Sequence, residues 1–360
     1  MTHDATLPNA DSTPTAVDPD SETFVYNEFS MFPENCAEVA IPFPADIMVN
    51  RIGFQLPEIA NFNRSISAIR WGTGPIDIVF VHGAAQNAHT WDTTVLALHG
   101  FGFRNMLCID LPGHGKSEWR SDHHYEPKSM ADDVAAFIAD VAPDAKAIVG
   151  MSLGGMTTLA LADANPGLVR KLAMVDVTPG VNALKAKAVT DFVRGPQSFD
   201  SFNALLARTK EHNPTRSESS LRRGILHNAH RNADGSWSWN YDRGLSEITG
   251  PKVPDAPDAP DAPRDSTAGD STAGDSTVGG STAQNLIERF NPMWDIYERL
   301  TMPLLVLRGA LSPIVDDNDI AEVLKRRPEA KVIVVENAGH SIQGDQPVVL
   351  AGHIASFVKD

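Results

Sequence analysis

The chain has 360 residues, of which 42% are apolar, and its formal net charge is −16. This length and apolar fraction suffice for a core domain with a second domain inserted into it. The acidic excess argues against nucleic acid or an anionic membrane surface as a partner, because both need clustered lysine and arginine. The two cysteines, Cys36 and Cys108, do not make a disulfide framework.

Two segments have compositions that do not favour a packed fold. Residues 1–22 are rich in Asp, Thr, Pro and Ala, which predicts a disordered acidic tail. Residues 251–283 repeat PDA and then GDSTA, which predicts a low-complexity loop. The N-terminus lacks the apolar run of a signal peptide, and no stretch is long enough to span a membrane. We therefore expect a cytoplasmic location by default.

Elsewhere, short apolar runs alternate with amphipathic stretches. Strands are expected at 76–81, 105–110, 145–150, 172–177, 304–307 and 331–335, and helices at 130–141, 153–164, 317–326 and 347–358. This alternation predicts the α/β class, with a doubly wound, mostly parallel sheet and helices on both faces.

The alternation breaks between the strands at 172–177 and 304–307. We therefore divide the chain into a core in two parts, 23–179 and 300–360, and a mainly helical cap inserted at 180–299. An insertion at this point can lie over the carboxyl ends of the strands, where open α/β sheets bind their ligands.

An aromatic pattern lies within the expected cap. Trp237, Trp239 and Tyr241 alternate along the chain, so an extended strand would place them on one face. They could form an aromatic wall of a substrate pocket. The equally weighted alternative is that they hold the cap against the core.

The segment Gly150-Met151-Ser152-Leu153-Gly154-Gly155 follows an apolar run and precedes a helical pattern. A nucleophile elbow requires this sequence of strand, sharp turn and helix, with glycines where side chains would clash. Ser152 is the predicted nucleophile. The N–H groups of Leu153 and of Ala84, in a loop after an earlier strand, are the predicted oxyanion hole.

His340 differs from the other histidines of the chain in its position. It follows the last predicted strand, at 331–335, within Asn337-Ala338-Gly339-His340-Ser341. A histidine there can reach a nucleophile at the same edge of the sheet, and it comes last in the order serine, acid, histidine. His340 is the predicted general base. His82 is expected to fix its loop rather than to take part in catalysis.

Five ordered motifs resemble the α/β-hydrolase superfamily. They are VHGAAQNAHTW at 81–91, DLPGHGKS at 110–117, GMSLGG at 150–155, PLLVLRGALSPIV at 303–315 and ENAGH at 336–340. The resemblance implies the α/β-hydrolase fold and hydrolysis by a serine nucleophile. The sequence has no Cys/His spacing typical of a metal site and no phosphate-binding glycine loop, so no metal or organic cofactor is expected.

The acid departs from the family pattern. Most members carry an aspartate in the loop after the strand at 304–307, where this chain has Ser312. A serine cannot stabilise an imidazolium as a carboxylate does. Asp176, at the end of the neighbouring strand, resembles the acid of a branch of small esterases with a serine in the later loop. Asp316 or Asp317 is the alternative, although both are expected at the start of a helix and Asp317 could simply cap it.

These residues predict a serine esterase that forms an acyl-enzyme on Ser152. The expected substrate is a small, mainly apolar carboxylic ester, with lactones and thioesters included in the class. Hydrolysis of a carbon–carbon bond or perhydrolysis by the same triad is an alternative function. A hydrolase-like binding protein without turnover is another. The sequence leaves the oligomeric state open.

Overall fold

The computed structural model describes residues 18–56, 64–180, 183–242, 244 and 292–360. The predicted loop at 251–283 and residues 1–17 of the predicted tail lie outside these ranges.

An eight-stranded sheet forms the centre of the described chain, and a three-stranded sheet lies within residues 180–299. In chain order the strands are β1 (Val49–Gln55), β2 (Ser65–Trp71), β3 (Ile78–Val81), β4 (Met106–Ile109), β5 (Ala147–Met151), β6 (Leu172–Val175), β7 (Ser198–Phe199), β8 (Ala229–Arg231), β9 (Trp237–Trp239), β10 (Leu304–Gly309) and β11 (Lys331–Val335). The large sheet has the order β1-β2-β4-β3-β5-β6-β10-β11, and the small one β7-β9-β8.

Strand direction in the large sheet is mostly uniform. Only β2 pairs antiparallel with its neighbours, β1 and β4, whereas every other pair is parallel. The predicted mostly parallel sheet is therefore confirmed. β1 and β2 were not predicted, because polar residues such as Arg51 in β1 and Arg70 in β2 interrupt their apolar patterns.

Helices cover both faces of the large sheet. In chain order they are α1 (Phe32–Glu38), α2 (Asp92–Gly100), α3 (Pro127–Val141), α4 (Leu153–Ala164), α5 (Ala183–Val193), α6 (Phe202–His212), α7 (Glu218–Asn228), α8 (Pro292–Arg299), α9 (Asp317–Arg326), α10 (Ile342–Asp345) and α11 (Pro347–Lys359). The helices α3 and α4 pack together, as do α2 and α11. None of the described helices has the length and apolar character to cross a bilayer.

The strand β3 shows how the two faces are built. Ile78 and Phe80 join the apolar cluster that contains residues of α2 and α11, whereas Val79 and Val81 join the cluster under α3 and α4. All four side chains are buried. A continuous apolar run is typical of a parallel strand that is covered on both sides, because successive side chains point to opposite faces.

Residues from 180 to 299 contribute α5 to α8 and the small antiparallel sheet. The expected helical character is thus accompanied by three short strands. Buried residues of this segment, among them Phe202, Leu221 and Trp237, continue the same apolar cluster that lies under α3 and α4. The division into core and cap stays a prediction.

Candidate active site

Ser152 lies at the sharp turn between β5 and α4. Its backbone has φ 51° and ψ −119°, a combination that costs free energy for any residue with a side chain. The turn also brings backbones into close contact. A Cβ on Gly154 would lie 2.4 Å from the carbonyl oxygens of Val81 and His82, and one on Gly150 would lie 2.6 Å from the Gly154 oxygen. These contacts explain why glycine occupies both positions of the motif.

The structure brings Ser152, His340 and Asp176 together at the carboxyl ends of the parallel strands. The Nε2 atom of His340 lies 3.2 Å from Ser152 Oγ, and its Nδ1 atom lies 2.7 Å from Asp176 Oδ2. His340 stands on the loop between β11 and α10, and Asp176 directly follows β6. A histidine that contacts a hydroxyl through one nitrogen and a carboxylate through the other has the geometry of a hydrolytic triad.

Asp176 is fully buried, and its hydrogen bonds compensate for that burial. Its Oδ1 atom accepts a hydrogen bond of 2.9 Å from the Gly309 N–H. Its Oδ2 atom accepts one of 2.5 Å from the Ser312 hydroxyl, in addition to the contact with His340. The backbone of Asp176 also has a positive φ of 48°, a strained conformation of the kind that clusters at functional sites.

Ser312, at the position where most family members have the acid, is a hydrogen-bond donor to the acid of the neighbouring strand. Its own oxygen accepts hydrogen bonds from the N–H groups of Ile314 and Val315, at 3.1 and 3.2 Å. The hydroxyl proton is therefore directed at Asp176. Ser312 therefore holds the Asp176 carboxylate in place, and Asp176 is the acid that contacts His340.

The two alternative acids have other partners. Asp316 is the N-cap of α9, where it forms a reciprocal capping box with Asp319, and it pairs with Lys185 at 2.6 Å. The hydrogen bond from Lys185 lowers the pKa of Asp316 to about 2. Asp317 is exposed and pairs with Arg308. Neither carboxylate contacts His340. The capping residue is Asp316 rather than Asp317, because the helix begins at Asp317, one residue earlier than a cap at Asp317 would require.

The two N–H groups predicted for the oxyanion hole lie on rigid backbone. In the loop after β3, the Gly83 N–H donates to Gln86 Oε1 at 3.1 Å and the Ala85 N–H donates to His114 Nε2 at 3.2 Å. The Ala84 N–H between them has no hydrogen-bond partner within the described chain. Leu153 is the first residue of α4, where N–H groups lack partners within the helix. Both groups are available to an oxyanion.

His82 and His114 are neutral, buried supports of this loop. The Leu111 N–H donates to His82 Nε2 at 2.9 Å, so the proton of His82 is on Nδ1, which donates to the Gly83 oxygen. Burial lowers the pKa of His82 to about 4, and burial together with His82 lowers that of His114 to about 3. The geometry agrees with the expectation that His82 fixes its loop.

A cavity of about 480 Å³ opens at Ser152 and His340. Of the three predicted wall residues, only Trp239 lines it. Trp237 instead packs against Phe202 and donates from Nε1 to Asp20 Oδ1 at 2.8 Å, and Tyr241 stacks on Trp239. Residues two apart on a strand are separated by about 7 Å, so one of them can reach the cavity while its neighbours do not.

A buried polar network lies beside the cavity, and no sequence pattern predicted it. His89 Nδ1 lies 2.8 Å from Asp92 Oδ2, its Nε2 lies 3.0 Å from Glu28 Oε1, and its ring stacks on that of His227 at 3.7 Å. Burial by itself would lower the pKa of His89, but Asp92 and Glu28 outweigh it and raise the pKa to about 9. His89 is therefore a buried imidazolium between two carboxylates at neutral pH.

The same residues include a group with ligand atoms suited to a divalent metal ion. One atom each from His89, Asp92 and His227 lies within 4.8 Å of the others. A metal ligand must be a neutral imidazole, so metal binding here would first require His89 to release a proton. Glu28, which joins this network, lies far from the cluster in the sequence, and no motif spacing points to it.

The free energy of unfolding should fall as pH rises, because His89 loses its proton. Its folded-state pKa of about 9 is above the usual value of 6.5, so its contribution is complete below pH 6.5 and is lost as pH rises through 9. This raised pKa corresponds to a loss on the order of 3 kcal/mol. We expect the free energy of unfolding in urea to decline over that range in the wild type and much less in His89→Gln.

The exposed His230 provides the matched control for this measurement. His230→Gln should show the wild-type decline. An equal decline in His89→Gln and the wild type would contradict the assignment of a protonated His89.

Comparison with known proteins places the chain in a family. The model of the alpha/beta hydrolase family matches residues 78–353. The chain belongs to this family, which confirms the resemblance in its motifs.

Two relatives and one solved structure extend this result. The chain is 34% identical to Esterase Rv0045c of Mycobacterium tuberculosis over 339 residues, which cover 92% of this chain and 95% of that protein. A crystal structure of that esterase covers 94% of this chain and 100% of its own, with a TM-score of 0.68 and 34% identity. The chain is also 25% identical to 2-(acetamidomethylene)succinate hydrolase of Mesorhizobium japonicum, over 80% of this chain and 89% of that protein.

Proposed function

We propose that the chain hydrolyses carboxylic esters through an acyl-enzyme on Ser152. The observation that carries the proposal is the continuous hydrogen-bonded path from Asp176 through His340 to Ser152. The similarity to a protein named as an esterase over nearly the whole chain supports the same class of reaction.

In the first half-reaction, Ser152 Oγ attacks the ester carbonyl carbon while His340 Nε2 takes the hydroxyl proton. The carbonyl oxygen becomes an oxyanion, which the N–H groups of Ala84 and Leu153 stabilise. Collapse of this intermediate breaks the bond to the alcohol, which leaves with the proton that His340 returns. Asp176 keeps the proton of His340 on Nδ1 and stabilises the imidazolium.

In the second half-reaction, water replaces the alcohol. His340 Nε2 removes a proton from the water as its oxygen attacks the acyl carbon. The second oxyanion collapses, the bond to Ser152 breaks, and His340 returns the proton to Oγ. The products are a carboxylic acid and an alcohol, and the residues of the chain return to their initial state.

Residues 180–299 act in this proposal as a cap that shapes the site. Val189, Phe192, Leu221 and Trp239 from this segment line the same cavity as Ser152. Their apolar side chains would shield the reacting ester from water and contact its carbon chains. A small ester is the substrate class that a cavity of about 480 Å³ admits. The cytoplasmic location stays a prediction.

A fluorophosphonate probe followed by a series of p-nitrophenyl esters of increasing acyl length tests the proposal. Covalent labelling of Ser152, located by mass spectrometry, and turnover of at least one ester are expected. Absence of labelling would overturn the serine mechanism. Labelling without turnover of any ester would instead favour another reaction on the same triad or a binding protein.

A further inference from the structure

An unpaired arginine lies in the wall of the cavity that contains Ser152 and His340. Arg216 stands in the loop between α6 and α7, and its Nη2 donates to Ser220 Oγ at 2.7 Å. Its Nε is buried without a hydrogen-bond partner. Among the described residues, no carboxylate oxygen lies within 4.0 Å of its guanidinium. Arg216 is half-buried, and a charge withdrawn from water without an ion-pair partner is costly, which makes this residue a candidate for ligand binding.

Arg223, the other arginine of the cavity wall, has the partners expected of a structural arginine. Arg223 donates from Nε to Asn35 Oδ1 at 2.6 Å and from Nη1 to Ser219 Oγ at 2.5 Å, and its Nη2 pairs with Glu38. Its charge is compensated within the protein. Arg216 has no ion pair of this kind, and the more distant Asp345 carboxylate acts on its charge without contacting it. Burial lowers the pKa of Arg216, but a guanidinium stays protonated at neutral pH.

Arg216 is placed next to the loop of the candidate base. A Cβ on Gly344, four residues after His340, would lie 2.7 Å from Arg216 Cζ, so the guanidinium packs directly on that backbone. The adjacent Thr215 donates to Asp345 Oδ2 at 3.0 Å, and the same oxygen accepts the Gly339 N–H at 2.8 Å. These contacts fix the Arg216 loop against the segment that carries His340.

We propose that Arg216 binds a carboxylate of the substrate, so that the preferred ester carries a negative charge. This inference rests on the proposed ester hydrolysis and names its substrate class. A guanidinium presents several N–H donors in a planar fork that matches the two oxygens of a carboxylate. The preferred substrate would thus be an anionic ester, with its apolar part against Phe192 and Trp239, rather than a wholly apolar one.

If Arg216 had only a structural role, its partner would be Asp345. Its charge acts on Arg216, but its Oδ2 already accepts two hydrogen bonds and its Oδ1 is buried without a partner. If the two side chains only stabilised each other, removal of either would have the same consequence. If Arg216 binds substrate, Asp345 competes with the substrate carboxylate, and its removal should favour the anionic ester.

The experiment compares two esters that differ in whether their terminal carboxyl group is charged. Mono-4-nitrophenyl adipate carries a free carboxylate, and methyl 4-nitrophenyl adipate has it blocked; the same pair is made with suberate to vary the reach. The measured quantity is the ratio of kcat/KM for the charged ester to kcat/KM for the neutral one. We expect Arg216→Met to lower this ratio at least about 10-fold, since a charge-assisted hydrogen bond is lost. Arg216→Lys should retain part of the preference, because it keeps the charge without the fork.

The matched control is Arg222→Met. The Arg222 guanidinium lies 4.9 Å from the Phe202 ring centre, outside the cavity lining, so the same loss of charge should leave the ratio unchanged. Asp345→Asn should keep or raise the ratio. An equal loss for both esters in Arg216→Met, or a fall of the ratio in Asp345→Asn, would overturn the proposal. If the neutral ester is turned over and Arg216→Met leaves the ratio unchanged, this inference fails and the esterase function stands. If neither these esters nor the p-nitrophenyl ester series is turned over, both proposals fail.

Discussion

Replacing Asp176 by Asn is expected to lower kcat/KM for a p-nitrophenyl ester about 10⁴-fold. The fold would keep its shape, because an amide has the size of the carboxylate and can still accept the Gly309 N–H. It cannot stabilise an imidazolium, and its NH₂ group favours the wrong tautomer of His340. Steady-state kinetics measure the loss, and the free energy of unfolding in urea shows whether the variant is folded.

The matched controls are Asp316→Asn and Asp317→Asn, which make the same chemical change a few residues after Ser312. Asparagine is as good an N-cap as aspartate, and Asp317 is exposed, so both variants should keep near-wild-type turnover. Wild-type turnover in Asp176→Asn would show that another group supports His340. A large loss in either control would point to that group.

Replacing Ser152 by Ala is expected to lower kcat about 10⁶-fold and to abolish fluorophosphonate labelling. Without Oγ no acyl-enzyme can form, and His340 has no hydroxyl to deprotonate. The oxyanion hole and the cavity would remain, so a small residual rate above that in water is expected. Single-turnover assays at high enzyme concentration measure this residual activity.

Ser356→Ala removes an exposed hydroxyl on α11 and is the control for the labelling and for the rate. It should behave as the wild type in both. Persistent labelling of Ser152→Ala would locate the reactive group elsewhere in the chain. Unchanged turnover would exclude Ser152 as the nucleophile.

The fold was predictable where burial is complete on both faces of a strand. The runs IVFV of β3 and LAMV of β6 have no polar residue, and the predicted strands contain them. β1 was missed because Arg51 interrupts its apolar pattern, and this arginine belongs to a charge network in which it pairs with Glu28 and with the buried Asp110. A polar residue whose partner is distant in the sequence disguises the apolar pattern on which strand prediction depends.

The site was predictable to the extent that local backbone geometry determines it. Ser152 needs glycine at fixed neighbouring positions, and those glycines are visible in the sequence. Arg216 has no such signature, because what distinguishes it from Arg223 is the absence of a partner in space. Trp237 and Trp239 show the same limit, since they alternate in sequence but only Trp239 lines the cavity.

The hydrogen bond between Ser312 and Asp176 bears on how this family diversifies. The two side chains end 2.5 Å apart, in the segments that follow the adjacent strands β6 and β10, and the Asp176 oxygen that accepts the Ser312 hydroxyl also contacts Nδ1 of His340. An acid could therefore transfer from one strand to the other in the course of evolution by two substitutions, without any displacement of the histidine or the nucleophile. Related genes would then differ in which strand supplies the carboxylate while their enzymes retain the same reaction, and a search for one fixed aspartate would overlook part of the lineage.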